Sequence, residues 1–416
     1  MTTARLFFIA APILISAVLL WRFPRCRRVK LLPIGAYIGF MTLLIWAALQ
    51  FVAYIAQARV PAQEIAVGLW FALAWRLGWA LWDRTVGSLG SKWVRWARLQ
   101  RRRRRPAPRL IRLIPWGRAA LAALVFWPTF VATALTHRCK LVDGQDPQTV
   151  FQIPFESVRF ATEDGLDLDG WFIPATNAER TIIICHGLGA NKGNFVWYVK
   201  PLSGHGYNLL MFDFRAHGRS EGRRTTMGIQ EARDVRAAVN WLKNEHPAEA
   251  RQIVGLGSSL GAMALVLAAA ADPRIDALVL DSAFISHEEL AMHHAKKIPV
   301  VGQMYAGEVL LLMSALTGTN FFSHSADDAI TRLGQRPVLI IHGTEDVGIP
   351  EYHAQRLYDA VSGPREIWYG PGPHSNIITT VPSKYARRVF DFLDAQWRHL
   401  DATATLPKGL QNGGQL

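Results

Sequence analysis

Two hydrophobic patterns divide the chain near residue 140. Before that point, long apolar stretches alternate with basic stretches, and after it short apolar runs alternate with amphipathic segments. A membrane-spanning helix needs about 20 apolar residues, whereas a buried strand needs only about four to eight. The pattern predicts an all-α transmembrane region over residues 1–140 and a domain of mixed strands and helices over residues 141–400. Residues 401–416 are polar and glycine-rich, which predicts a disordered tail.

Four apolar segments predict about four transmembrane helices. The first is also compatible with a signal peptide, but it lacks a small-residue cleavage site, which favours an uncleaved helix. The third contains Arg76, a costly residue inside a bilayer, so an interfacial helix is the alternative there. The segments are residues 6–21, 31–56, 65–82 and 119–135.

Basic residues are concentrated in the same region and predict its orientation. Residues 1–140 contain 22 Lys and Arg but only Glu64 and Asp83 as acids, whereas the remainder of the chain is slightly acidic. The basic loops 22–30 and 83–118 are expected on the cytoplasmic side, because short loops rich in Lys and Arg stay there. The fourth segment then carries the second domain to the non-cytoplasmic side, the periplasm in a Gram-negative source.

The run of five arginines at 101–105 has a second interpretation, because such runs also bind nucleic acid. Trp93, Trp96 and Trp116 flank this basic stretch, and aromatic residues beside basic ones favour an anionic membrane surface instead. The expected partner is therefore a membrane, and no nucleic acid is expected.

From residue 155 onward, short β-rich runs alternate with helical stretches. The first two runs flank Glu163-Asp164-Gly165, a hairpin signal. In the helical stretch 228–245, Ala232, Val235, Val239 and Leu242 share one face. This alternation predicts a mostly parallel sheet covered by helices on both faces, with ligands at the carboxyl ends of the strands. The predicted strands are residues 155–162, 166–173, 181–185, 208–213, 253–257, 277–281, 337–343 and 365–369.

A candidate nucleophile lies between one of these strands and a long Ala/Leu stretch. The sequence "IVGLGSSLGA" fits the pattern G-x-S-x-G with Gly257, Ser259 and Gly261. A serine at a sharp strand-to-helix turn needs neighbours without side chains, and its hydroxyl then stands above the sheet at a helix N-terminus. The glycine spacing selects Ser259 over Ser258, although the pattern also arises by chance in turns of small residues.

A serine nucleophile needs a base and an acid that orients the base, and on this type of sheet they follow in the order Ser, Asp/Glu, His. Asp346 follows the strand at 337–343, and His374 follows the next strand in a loop rich in Gly and Pro. Glu345 and Asp281 are the alternative acids.

The other histidines receive different interpretations. His353 and His399 lie on predicted helices, where a surface position is expected. His186 is expected to pack and form hydrogen bonds within its turn rather than to act as a base. His287, His293 and His294 are the further candidates for contact with the substrate.

Acyl transfer also needs N–H donors for the oxygen that becomes negatively charged. The turn "CHGLGANKGNF" at 185–195 follows the first long central strand. The expected donors are the backbone amides of Leu188 in that turn and of Leu260, which follows the candidate nucleophile.

Residues 155–397 resemble the α/β-hydrolase superfamily. In particular, "DFRAHGRSEG" at 213–222 resembles the D-x-R-G-x-G-x-S turn of its serine-aminopeptidase-like and BEM46-like branch. The resemblance implies an α/β-hydrolase fold and a catalytic triad of Ser259, Asp346 and His374. Ala216 departs from the glycine that is usual in this turn. Asp213, Arg215 and Ser220 are interpreted as structural.

A long insertion between two strands predicts a helical cap over residues 284–336. It contains the apolar run 298–318, interrupted by Glu308. Its apolar side chains are expected either to pack on the domain, or to line an apolar pocket or face the membrane. A membrane-held enzyme with an apolar cap suggests lipid or acyl esters as substrates.

Taken together, these features predict a membrane-anchored serine hydrolase that cleaves carboxylic esters without metal or organic cofactor. A peptidase or an acyltransferase with the same triad, and a non-catalytic membrane receptor or scaffold on this fold, are the alternatives. The three cysteines are interpreted as free thiols. The sequence does not indicate an oligomeric state.

Overall fold

In the part of the chain that the structure describes, eight strands form one sheet in the order β1-β2-β4-β3-β5-β6-β7-β8. This computed structural model describes residues 127–137, 140, 142–297 and 302–404, and for residues 399–404 it describes the backbone only. These residues belong to one compact unit that begins at Ala123. The strands are β1 (Glu156–Ala161), β2 (Asp167–Ile173), β3 (Arg180–Cys185), β4 (Asn208–Phe212), β5 (Gln252–Ser258), β6 (Ala277–Asp281), β7 (Val338–Gly343) and β8 (Arg365–Gly370).

The sheet is mostly parallel, as the sequence predicted. Strands β1 and β2 pair antiparallel, and β2 also joins β4 antiparallel, whereas β4, β3, β5, β6, β7 and β8 run parallel. Because β3 pairs with β4 on one side and with β5 on the other, the strand order reverses at β3. Ligand sites of open α/β sheets lie at the carboxyl ends of the strands beside such a reversal.

Helices cover both faces of the sheet, which gives two apolar cores. Side chains alternate along β3, so that Ile183 belongs to one core while Ile182 and Ile184 belong to the other. The helices are α1 (Trp127–Thr136), α2 (Pro147–Phe151), α3 (Val199–Leu202), α4 (Glu231–Glu245), α5 (Leu260–Ala271), α6 (His287–Ala295), α7 (Gly302–Thr317), α8 (Ala326–Thr331), α9 (Glu351–Ala360), α10 (Ile377–Thr380) and α11 (Pro382–Ala404).

Helix α4 begins three residues later than the sequence predicted. The buried carboxylate of Glu231 accepts hydrogen bonds from the hydroxyls of Thr225 and Thr226 and from the amide of Gly228. These bonds hold residues 225–230 as a loop, because they satisfy the preceding backbone without helical hydrogen bonds. Beyond that point the predicted apolar face is present, with Val235, Val239 and Leu242 fully buried.

The insertion after β6 contains α6, α7 and α8. Helix α7 packs against α1, and together they bury a small apolar core that includes Ala132, Val309, Leu310 and Met313. Arg224 ties the two helices together, because its guanidinium donates to the carbonyl of Leu316 near the end of α7 and to His137 just after α1. The apolar side chains of α7 therefore take part in packing, one of the outcomes that the sequence left open.

The membrane predictions fall largely on residues outside the described ranges. The first three apolar segments, the five arginines and residues 405–416 all lie there, and the described end of the fourth segment is the ten-residue helix α1. No helix within the described ranges is both long enough and apolar enough to span a bilayer.

Candidate active site

The turn between β5 and α5 has the geometry that its glycines predict. Ser259 lies at φ 53° and ψ −110°, a conformation that is strained for a residue with a side chain. A Cβ atom on Gly257 would lie 2.5 Å from the carbonyl oxygen of Gly261, and one on Gly261 would lie 2.3 Å from the carbonyl oxygen of Cys185. Only glycine fits at these two positions, so the G-x-S-x-G spacing is a steric requirement of the turn.

The backbone of Ser259 is held from two directions. Its amide donates to the carbonyl of Asp281 at 2.9 Å, and its carbonyl accepts the amide of Met263 at 3.1 Å. The residue is the N-cap of α5, so its side chain stands near the positive end of a buried helix. Among the described residues, the Ser259 hydroxyl forms no hydrogen bond, and none links it to His374 in this structure.

His374 and Asp346 lie together at the same edge of the sheet. His374 Nδ1 donates to Asp346 Oδ2 at 2.6 Å, and the Asp346 side chain is fully buried. The other carboxylate oxygen accepts the amides of Gly348 at 2.9 Å and Ile349 at 2.8 Å. Burial disfavours the charge, but the hydrogen bonds from His374 and from these amides outweigh it and lower the pKa of Asp346. Asp346 is therefore ionised at neutral pH and orients the imidazole.

The two alternative acids lie elsewhere. Glu345 is exposed beside Asp346. Asp281 is fully buried, and its carboxylate accepts hydrogen bonds from the hydroxyls of Ser282 at 3.0 Å and Tyr385 at 3.1 Å rather than from an imidazole. Of the three candidates, Asp346 is the one that the fold brings into contact with His374.

The turn after β3 approaches Ser259 closely. A Cβ atom on Gly187 would lie 3.7 Å from Cβ of Ser259, so this turn and the turn between β5 and α5 are in contact. Leu188 follows directly, and Leu260 begins α5. Among the described residues, no hydrogen bond uses the amide of Leu188 or of Leu260. Both amides are thus available to a bound oxygen.

His186 has the structural position that the sequence predicted. Its Nε2 accepts the amide of Phe214 at 3.0 Å, so its Nδ1 carries the proton and donates to the carbonyl of Gly187 at 2.8 Å. Complete burial lowers the pKa of His186 to about 3, mainly because a charge there would be poorly solvated. The side chain is a neutral link between the turns after β3 and β4.

His217 belongs to the same set of contacts, although no sequence motif indicated it. Its Nδ1 donates to the carbonyl of Arg215 at 2.9 Å, and its Nε2 accepts the amide of Gly189 at 3.2 Å. The bond to Gly189 fixes the turn that contains Leu188. A histidine in a turn has no local signal for such a role, because its partner is 28 residues away in sequence.

The turn after β4 is saturated with hydrogen bonds. Buried Lys192 contacts Asp169 at 2.5 Å and Asp213 at 2.6 Å. Arg215 contacts Asp234 at 2.6 Å and Asp164 at 2.8 Å. The hydroxyl of Ser220 donates to the carbonyl of Asp213 and accepts the amide of Asp169. Because all three side chains are engaged in these contacts, the structure gives Asp213, Arg215 and Ser220 a structural role.

The expectation that His353 lies at the surface is wrong. This side chain on α9 is completely buried, and its Nδ1 accepts the amide of Ile285 at 3.2 Å. Burial is also the main reason that the pKa of His353 is lowered to about 4, so the ring is neutral. His287 on α6 is likewise buried, and its Nε2 donates to the carbonyl of Met227 at 3.0 Å.

A cavity of about 320 Å³ is lined in part by Trp171, Lys192 and Arg219. Ser259, Asp346 and His374 do not line it. Among the described residues, no group of three or more His, Cys, Asp or Glu side chains is arranged to hold a metal ion.

Comparisons with known proteins support the α/β-hydrolase fold. A family model for the alpha/beta hydrolase fold matches residues 180–328, a range that includes Ser259. The chain is 30% identical over 259 residues to the uncharacterized protein YfhR of Escherichia coli (strain K12), covering 60% of this chain and 82% of YfhR. It is 31% identical over 247 residues to the uncharacterized protein Rv2307c of Mycobacterium tuberculosis, covering 59% of this chain and 79% of Rv2307c. A solved structure of the Pyrococcus furiosus esterase Pf2001 has a TM-score of 0.52 and 28% identity, covering 62% of this chain and 98% of the esterase.

Proposed function

The chain belongs to the alpha/beta hydrolase fold family, and from this premise we propose that it is a serine hydrolase that cleaves carboxylic esters. Ser259 is the main support, because the fold holds it in a strained backbone conformation at the carboxyl end of β5. The His374–Asp346 pair at the same edge supplies the base and the orienting acid that such a serine requires.

In the proposed reaction, the Ser259 oxygen attacks the ester carbonyl carbon while His374 Nε2 takes the hydroxyl proton. The carbonyl electron pair moves onto its oxygen, where the amides of Leu188 and Leu260 donate hydrogen bonds to it. The tetrahedral intermediate then collapses to the acyl-enzyme and expels an alkoxide, which takes the proton from His374. Water repeats the sequence and releases the acid. Asp346 holds the imidazole in the tautomer that has Nε2 free to accept.

An ester is favoured over an amide because a solved structure that is 28% identical to this chain, with a TM-score of 0.52, carries the name of an esterase. Peptidases and acyltransferases use the same triad, so these remain alternative activities. The serine-aminopeptidase-like and BEM46-like turn at 213–222 supports the assignment to that branch.

A fluorophosphonate probe tests the nucleophile directly. The wild-type protein is expected to become labelled, and Ser259→Ala is expected to lose the label while Ser258→Ala keeps it. Equal labelling of wild type and Ser259→Ala would show that the assigned nucleophile is wrong.

A substrate series then tests the ester preference. We expect turnover of p-nitrophenyl esters, with chain length setting KM, and much slower turnover of aminoacyl amides. Faster cleavage of the amides would indicate a peptidase instead, and transfer to an added alcohol in preference to water would indicate an acyltransferase. Absence of any reaction with the probe or the esters would favour a receptor or scaffold.

Attachment to a membrane, with lipid or acyl esters as substrates, is the second part of the proposal. Its support is the set of four apolar segments before residue 136 and the outward apolar side chains Phe130, Met304 and Leu311 on the packed pair α1 and α7. The basic loops favour a non-cytoplasmic position for the hydrolase domain. A phosphatase reporter fused after residue 416 should be active only outside the cytoplasm, and a reporter active only inside would reverse this topology.

A further inference from the structure

Two neighbouring residues at the end of β6 hold both the candidate nucleophile and the loop of the candidate base. The carbonyl of Asp281 accepts the amide of Ser259 at 2.9 Å. The hydroxyl oxygen of Ser282 accepts the amide of Ser375 at 3.0 Å, and Ser375 directly follows His374. Ser282 is itself fixed to β7, because its amide donates to the carbonyl of Ile341 at 2.9 Å.

The direction of each hydrogen bond follows from the atoms involved. A backbone amide can only donate, so the Ser282 oxygen must accept from Ser375 and direct its own proton elsewhere. That proton points to Asp281 Oδ1 at 3.0 Å, where a carboxylate accepts it. The carboxylate of Asp281 thereby fixes the rotation of the Ser282 hydroxyl, and the hydroxyl fixes the position of the Ser375 amide.

Asp281 is an unusual residue to find in this position. Its side chain is completely buried, and among the described residues no Lys or Arg forms an ion pair with it. The groups that face it are Tyr198, Tyr385, His374 and Asp346, and burial raises the pKa of Asp281 to about 6 despite the donated hydrogen bonds. A buried carboxyl without a cation lowers stability, and such costs are commonly retained where a group has a functional role.

The same small region contains three strained backbone positions. Ser259, Ser282 and Ser375 have φ values of 53°, 51° and 56°, in the left-handed region that disfavours side chains. Strain of this kind persists only where surrounding contacts enforce it. Asp281 and Ser282 supply one such contact to Ser259 and one to Ser375.

We propose that Asp281 and Ser282 are positioning residues, which set the imidazole of His374 relative to Ser259 through the amide of Ser375. This inference rests on the proposed hydrolase function, because only a base that must reach a nucleophile needs such a link. Neither residue contacts the ester in this role.

Ser282→Gly is the sharpest variant, because glycine accepts φ 51° without strain and removes only the hydroxymethyl group. We expect kcat to fall about 10- to 100-fold with little change in KM, as a small displacement of a catalytic group does. Tyr385→Phe is the matched comparison, since it also removes one hydrogen bond from the Asp281 carboxylate but leaves the link to Ser375 intact. If the two variants lose the same free energy of unfolding, kcat should fall much less in Tyr385→Phe than in Ser282→Gly. Equal falls in the two variants would overturn the proposal.

Asp281→Asn tests the hydrogen bond between Asp281 and Ser282. It replaces Ser282→Gly as the test variant if Ser282→Gly does not fold. An amide side chain has one acceptor oxygen, so it cannot accept from Ser282 and Tyr385 through two different oxygens. It should lower kcat as Ser282→Gly does, and the double variant should fall no further than the single variants. Additive losses would show that the two residues do not act through one link.

A measurement independent of activity separates this inference from the proposed function. Proton NMR of the full-length protein should show the His374–Asp346 hydrogen bond as a low-field resonance that is absent in Asp346→Ala. The position of this resonance should shift in Ser282→Gly and Asp281→Asn but not in Tyr385→Phe. An unchanged resonance overturns the positioning role even if the enzyme is active. A shifted resonance in a protein that the fluorophosphonate never labels supports the link and contradicts the hydrolase function.

Discussion

The turns after β4 and β5 lie at the same edge of the sheet and share a construction, yet they differ in how their polar atoms are used. Each contains a residue with a side chain in the left-handed region, Ala216 at φ 60° and Ser259 at φ 53°. Each also needs glycine for steric reasons, since a Cβ atom on Gly218 would lie 2.1 Å from a carboxylate oxygen of Asp213. The shared geometry therefore does not identify which turn performs chemistry.

The hydrogen bonds do distinguish the two turns. After β4, Asp213 and Arg215 are buried and fully engaged with Lys192, Asp234 and Asp164. After β5, the backbone of Ser259 is held while its hydroxyl has no partner among the described residues. We infer that the first turn stabilises the edge and that the second presents a reactive group there.

Asp346→Asn should have the largest effect on the reaction and a small one on stability. The asparagine oxygen can still accept from the amides of Gly348 and Ile349, which then directs its NH₂ group at His374 and enforces the wrong tautomer. We expect kcat to fall about 10⁴-fold. The free energy of unfolding should fall by only about 1 to 2 kcal/mol. Steady-state kinetics and denaturant unfolding measure the two. A loss of stability large enough to unfold the enzyme would make Asp346 a structural residue, like the buried charges of the β4 turn.

Arg215→Met should have the opposite effects, with a large loss of stability and a small loss of reactivity. Removal of the guanidinium leaves the buried carboxylate of Asp234 without its partner, which should cost about 3 to 5 kcal/mol. The fraction that remains folded should still react with a fluorophosphonate at nearly the wild-type rate. Arg233→Met is the control, because its ion pairs with Glu163 and Asp164 are partly exposed to solvent and should contribute about 1 kcal/mol or less. A folded Arg215→Met protein that does not react with the probe would give the β4 turn a direct role in catalysis.

The buried carboxyl of Asp281 predicts a dependence of stability on pH. Because burial raises its pKa to about 6, the native state keeps this proton at pH values where the unfolded chain releases it. Its contribution to stability is therefore complete below the unfolded pKa and is lost as the pH rises through about 6. Relative to Asp281→Asn, the free energy of unfolding of the wild type should fall by on the order of 2 kcal/mol between pH 4 and 7. A constant difference across this range would place the Asp281 carboxyl in a better solvated or better paired environment.

The strands and the Ser259 turn were predictable because their signals are local. The eight predicted strands agree with the structure to within two residues, since short apolar runs bounded by turns identify buried strands directly. Gly257 and Gly261 were predictable because only glycine fits two positions before and two positions after the serine of such a turn. Asp346 and His374 followed from their places after β7 and β8, and the structure confirms that these two side chains are in contact.

The contacts that the sequence did not indicate are long-range. His217 holds Gly189 from another strand's turn, and Ser282 holds Ser375 across 93 positions of chain, so neither has a periodicity or a motif. His353 was misplaced because a helical position does not reveal which face of the helix packs against a distant segment, here the loop after β6 that contains Ile285. In each case tertiary packing decides which residue the side chain contacts, and neither composition nor motif spacing indicates that contact.

Ala216→Gly should have the smallest effect, and it tests whether the two turns are equally strained. Glycine removes the left-handed penalty of about 1 to 2 kcal/mol, which exceeds the loss of one buried methyl group, about 0.8 kcal/mol. We expect a gain in the free energy of unfolding of less than about 1 kcal/mol and an unchanged kcat. Ala232→Gly in α4 should instead lose about 1 kcal/mol, because glycine is unfavourable within a helix. If Ala216→Gly loses as much as this control, the β4 turn accommodates its alanine without strain, and the strain at Ser259 becomes a property of the candidate site alone.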